Sequence, residues 1–354
     1  MKEKLRYQEL DALRGIAAIM VVLFHFTLNM PEAKFGFKYG VTGVDLFFII
    51  SGFVIFESIN NSKSAYEFIV NRLSRLFPTY WVCVTITFIL SCFVQFFWQH
   101  KPISGISIIN YFSNLSMFQY YLNVQDLDNS YWTMIIEMLF YIFIVTILKL
   151  KLIKYIVLIG SLMLVFCVIY SLVLYPHYYN LFLLFYKFLP LINHFPLFFG
   201  GIIFHKIITE KRTKMLMQYY VLLALTFIIA LPLFNVGGRD RIQINFKEYE
   251  AILAIYYALF ILFVNAKLKF IVNKFTLFFG KISYSLYLFH QYFSVIILLP
   301  IFMYKFHYSF LLSSILSFII VTIIATIINT YIEIPFGVSM KKRLLKTKKL
   351  SAIE

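Results

Sequence analysis

The chain has 354 residues, 61% of them hydrophobic and only 14% charged, with a formal net charge of +16. Soluble domains carry about 25% charged residues, so this composition excludes a water-soluble globular protein and makes lipid the solvent for most of the chain. The positive charge does not signal nucleic acid, because the Lys and Arg residues fall between the apolar runs rather than forming a basic face.

A bilayer core of about 30 Å takes about 20 mainly apolar residues in helix. Ten such windows run along the chain, approximately at 12–30, 41–58, 79–98, 131–149, 152–174, 190–208, 218–235, 250–266, 282–303 and 310–333. The expected fold is therefore all-α and polytopic, with about ten transmembrane helices. Lys2, Lys4 and Arg6 ahead of the first window resemble a secretory leader. No small-residue cleavage site follows, and Arg14 interrupts the apolar run, so this helix is expected to be retained.

An even number of spans puts both termini on one side. With that side cytoplasmic, the inner loops hold most of the Lys and Arg, as the positive-inside rule requires. The long outer segment 99–130 mixes Ser, Asn and Tyr with apolar residues and is expected to lie along the interface or cap a cavity, as is 175–189. Pro78 precedes the third window, where a first helical turn tolerates it. Cys83, Cys92 and Cys167 all fall in apolar stretches without metal-ligand or disulfide spacing, and no metal site is expected. The closing run of Lys341, Lys342, Arg343, Lys346, Lys348 and Lys349 reads as a cytoplasmic anchor on anionic lipid.

Ionisable side chains cost roughly 2.5–3.5 kcal/mol at a helix centre in a bilayer, so those retained tend to face a cavity and to carry function. Here they are His25, Asp45, Glu137 and His290, with Arg14, Arg72, Arg75 and Glu333 nearer the inner ends. Counted from the window ends, His25, Asp45 and Glu137 share one level in the outer half. A His and a carboxylate at one depth suit general base catalysis, the carboxylate fixing the imidazole tautomer; the same pair also suits a hydrogen bond that only joins helices. Arg14 lies roughly 16 Å below His25 along a helix. Arg72 and Arg75 reach the same inner face, where they suit phosphates or serve simply as an orientation signal. Ser51 and Gly52 lie mid-membrane, where small residues admit a neighbouring backbone or a narrow ligand.

The segments LDALRGIAAIMVVLFHF (10–26), Gly43 to Phe56, NRLSRLFPTYW (71–81), YWTMIIEMLFY (131–141), ISYSLYLFH (282–290) and YIEIP (331–335) together resemble the membrane-bound acyltransferase family 3. The resemblance covers nearly the whole chain. It implies O-acyl transfer to extracytoplasmic sugars or other hydroxyl acceptors, with His25 catalytic, Asp45 in the family's second-helix Asp position, and Arg14, Arg72 and Arg75 holding acyl-CoA. Ser51, Glu137, His290 and Glu333 are possible supporting residues, Ser51 as a nucleophile if an acyl-enzyme forms.

On this reading residues 1–340 are a transmembrane acyltransferase domain and 341–354 a basic cytoplasmic tail, in a bacterial inner membrane. Many members of the family carry an additional extracytoplasmic hydrolase-like domain after the helices. The chain is expected to act as the membrane module alone, with any second step left to separate envelope-polysaccharide enzymes. The expected partners are membrane lipid, acyl-CoA as donor substrate, with acetyl the default acyl group, and a glycan acceptor; no bound cofactor is expected. The rival reading is a transporter or flippase of a lipid-linked sugar, since polar groups on several helices also line translocation paths.

Overall fold

The computed structural model describes residues 7–28, 30, 36–62, 64–100, 102, 105–211, 213–237 and 244–350. Lys2, Lys4 and Arg6 lie outside them. The helices in the first half are α1 (Gln8–Thr27), α2 (Gly43–Asn60), α3 (Ala65–Phe93), α4 (Gly105–Leu115), α5 (Trp132–Lys149), α6 (Ile156–Ile169) and the single turn α7 (Tyr175–His177). They are followed by α8 (Tyr179–Phe188), α9 (Phe195–Thr209), α10 (Leu216–Val236), α11 (Phe246–Val264), α12 (Lys274–Gln291), α13 (Phe310–Ile328) and α14 (Ile334–Leu350). Among the described residues there is no strand.

The protein is an all-α polytopic membrane protein. Among the described residues, eight helical stretches are long and apolar enough to cross a bilayer. The other two expected windows hold α9, which is short at 15 residues, and α11, which carries Lys247, Glu248 and Glu250 near its start. The segment 99–130 contains α4, and 175–189 contains α8.

The chain divides into two compact units. The first gathers Met1–Val21, Lys38–Ser62 and Leu139–Gly280. Its tightest contact is between α2 and α9. A Cβ on Gly201 would overlap the Ile49 carbonyl and the Gly52 backbone, and one on Gly52 would overlap the Phe198 carbonyl. Lipid offers no hydrophobic drive between helices, so backbones this close supply the dispersion contact that holds them. At the start of α1, Gly15 and Gly280 give the same intimacy, a Cβ on either one meeting the backbone of the opposite helix.

The second unit gathers Val22–Phe37, Lys63–Met138 and Lys281–Glu354. Here α3 corrects the sequence reading: the helix begins at Ala65, so Arg72 and Arg75 lie inside it and Pro78 is an internal proline rather than a first-turn one. Ser64 caps the true start, its Oγ accepting the Glu67 N–H at 3.1 Å. Pro78 has no N–H to give the Ser74 carbonyl. That carbonyl faces Gly337 of α14, whose missing side chain permits the approach, while Tyr284 donates to the Leu76 carbonyl at 3.0 Å. Neighbouring helices that occupy the gap are what allow a proline inside a transmembrane helix.

Two more boundaries move. α1 stops at Thr27, not 30, which puts His25 in its last turn. Thr27 Oγ1 donates to the Leu23 carbonyl at 3.0 Å and accepts the Phe37 N–H at 2.8 Å, closing the helix end. Beyond Ile328, α13 runs on through a π-helical turn, Asn329–Glu333, into α14.

Candidate active site

His25 is half-buried in the last turn of α1, where the outermost carbonyls present partial negative charge to any cation. His290, on α12, is fully buried. Its Nε2 lies 2.9 Å from Nδ1 of His25, and its own Nδ1 lies 2.7 Å from the Tyr287 carbonyl. A carbonyl oxygen only accepts, so the hydrogen of neutral His290 sits on Nδ1 and its Nε2 is an acceptor. His25 must then donate from Nδ1, and its lone pair is on Nε2. These tautomers are assigned from the hydrogen-bond pattern. The arrangement turns His25 into a proton acceptor at one defined atom, the role expected of a general base.

The other residues singled out in the sequence divide between the two units. In the second unit, Glu333 accepts from Ser285 Oγ at 2.7 Å, and Tyr284 lies within electrostatic reach of both Glu137 and Glu333. The Asn329 side chain also donates to the Lys281 carbonyl at 3.2 Å, fastening the π-helical turn to α12. Arg72 is 7% exposed with its guanidinium 5.5 Å from the Phe68 ring centroid; Arg75, one turn on, is exposed.

In the first unit, Arg14 pairs with Asp11 at 3.7 Å, a neighbour one turn earlier that the sequence reading passed over. Asp45 is fully buried in the first turn of α2, where the helix N-terminus favours a carboxylate. Nearby, Thr42 and Tyr256 share a hydrogen bond of 2.7 Å, and Tyr256 feels the Asp45 charge. Ser51 is half-buried on α2.

A histidine–carboxylate pair, His205 with Glu57 at 2.5 Å, joins α9 to α2 and was not anticipated. Its members stand 148 positions apart and share no motif. Among the described residues, no group of three or more His, Cys, Asp and Glu side chains is arranged to hold a metal ion.

The described residues are those of a polytopic helical membrane protein in which a histidine of the first helix pairs with one of α12. Residues 7–334 match the acyltransferase domain family, and the chain belongs to that family. Among curated relatives, the peptidoglycan O-acetyltransferase OatA of Listeria monocytogenes is 30% identical over 165 residues, 40% of this chain and 25% of that protein. The O-acetyl transferase of Shigella phage Sf6 is 32% identical over 145 residues, covering 37% of this chain and 43% of the phage protein. A putative acetyltransferase of Acidianus two-tailed virus, ORF330, is 24% identical over 286 residues, 78% of this chain and 80% of the viral one. The matched stretch thus spans a quarter of the Listeria protein and under half of the Sf6 one. No solved structure matches the chain.

Proposed function

We propose that the protein is an O-acetyltransferase that moves an acetyl group from acyl-CoA on the cytoplasmic side to a hydroxyl of an extracytoplasmic or lipid-linked glycan. The observation that carries this reading is the His25–His290 pair, which leaves the His25 Nε2 as the proton-accepting nitrogen. The names of the OatA and phage relatives support acetyl as the group, and the peptidoglycan in the Listeria name supports a glycan as the acceptor class.

In the proposed reaction, His25 Nε2 takes the hydroxyl proton as the acceptor oxygen bonds to the thioester carbonyl carbon. The carbon–sulfur bond then breaks, and the proton passes from His25 to the departing thiolate. His290 accepts from the imidazolium formed in between and spreads its charge. Asp45 is assigned as the acidic catalytic member from its motif position. Arg14, Arg72 and Arg75 are assigned to the phosphates of the donor, because guanidinium forks match phosphate oxygens. Glu137 and Glu333 are supporting carboxylates, and residues 341–354 form the basic cytoplasmic tail. The membrane is the bacterial cytoplasmic one.

The test is transfer of label from acetyl-labelled acetyl-CoA to glycan in membranes holding the wild type or Arg72→Ala at matched expression. Labelled glycan with the wild type alone supports the reading. Movement of a lipid-linked sugar without any acyl donor would replace it with the transporter reading.

A further inference from the structure

His290 is gripped from both sides by one short stretch of chain at the end of the outer segment. Before it in sequence, the Tyr287 hydroxyl donates to the Ser130 carbonyl at 3.0 Å and lies 2.8 Å from Thr133 Oγ1. After it, the Tyr292 N–H donates to Asp128 Oδ2 at 2.8 Å, where α12 gives way to the π-helical turns Tyr292–Leu298. The other Asp128 oxygen accepts the Ser130 N–H at 2.8 Å. Both carboxylate oxygens therefore act as acceptors, the pattern of an ionised group.

Asp128 is 1% exposed, a costly place for a carboxylate that merely ends a loop. Burial pushes its carboxyl upward from the usual range, opposed by the Ser130 and Tyr292 donors and by the nearby His25. The stretch leading to it is itself fixed. Asn114 of α4 donates to the Gln125 carbonyl at 3.0 Å and accepts the Leu127 N–H at 3.1 Å, and Gln119 donates to Asp126 at 2.7 Å.

We infer that Asp128–Thr133 is a clamp that fixes the tautomer of the His25–His290 pair, with Asp128 and Tyr287 as its positioning residues. The residue whose hydroxyl is held, Tyr287, is the one whose carbonyl orders the His290 ring. Any shift of that turn redirects the carbonyl and scrambles which nitrogens carry hydrogen. A loop staple alone needs no contact on both sides of His290. The inference rests on the proposed role of His25 as base, and the experiment separates the two.

Full-length protein in lipid nanodiscs, labelled with 15N-histidine, is compared as wild type, Asp128→Asn and Tyr287→Phe. The nitrogen resonances should report one tautomer for each ring in the wild type and a mixture in both variants. In parallel, kcat for acetyl transfer should fall about tenfold or more, the direction set by a misplaced imidazole tautomer, with the donor KM within about twofold. Because the clamp acts through His290, Asp128→Asn combined with His290→Gln should be no slower than His290→Gln alone; multiplied losses would mark a general structural role and overturn the clamp. Tyr287→Phe decides the question if Asp128→Asn does not fold. Unchanged resonances in a folded variant also overturn it. A wild type that transfers no acetyl group while its histidines show the single-tautomer pattern, lost in the variants, sinks the proposed function and leaves the clamp standing.

Discussion

His290 Nε2 stands 2.9 Å from His25 Nδ1 across 265 positions of sequence, and the Tyr287 carbonyl at 2.7 Å settles which way the hydrogen between the rings points. His25, the base of the proposed reaction, is oriented by a second imidazole that is oriented in turn by backbone. Catalytic arrays commonly use a carboxylate in that place. A neutral orienting group avoids burying a further full charge at His290, which is wholly enclosed.

Replacing His290 by Ala removes the acceptor for His25 Nδ1 and frees His25 to put its hydrogen on the wrong nitrogen. kcat should fall by roughly 10²-fold, within the range that a positioned base contributes. His290→Gln retains a side-chain acceptor and should lose less. Initial rates of labelled acetyl transfer at saturating donor decide it; equal losses in both variants would show that the hydrogen bond to His25 is not what matters.

Arg72 lies against the Phe68 ring, which suits a planar guanidinium better than a lysine ammonium. Arg72→Lys should therefore raise the donor KM by about tenfold although charge is kept. Arg75, exposed on the same helix, should tolerate Lys with a smaller change. Donor titrations on the two variants supply the comparison, and a larger effect at Arg75 would reverse the assignment.

Much of this architecture is legible in the sequence because hydropathy alone reports where a chain meets lipid: each of the ten windows contains helix. The start of α3 is not, since Tyr66–Arg75 is too polar to score as a span. Its helicity comes from the Ser64 cap and from α14 packing at Gly337, neither of which hydropathy detects. Candidate site residues were legible as isolated intramembrane charges, His25 and His290 among them. Their pairing was not, because no periodicity links positions on the first and twelfth helices. Asp128 escaped notice for a related reason: it sits in a polar outer segment, where a carboxylate looks ordinary until its burial is known.

Gly201 admits the Ile49 carbonyl and the Gly52 backbone at the point where α9 crosses α2. Gly201→Ala places a methyl group on backbone atoms that have no rotamer to escape into, so the helices must separate. The loss should be at least about 1–3 kcal/mol, the usual cost of overpacking. Thermal unfolding in detergent, read by tryptophan fluorescence or size exclusion, should show a lower midpoint than the wild type. Gly105→Ala, where the added methyl meets nothing, should leave it unchanged.

The most direct measurement of the central claim is acetyl transfer by purified, reconstituted protein with wild type compared against His25→Ala and His25→Gln, each verified as folded. The account predicts labelled glycan with the wild type and a loss of roughly 10²- to 10⁴-fold in both variants, with the donor KM little changed. Transfer at near wild-type rate by folded His25→Ala would contradict it, and would move the search for the base away from the histidine pair.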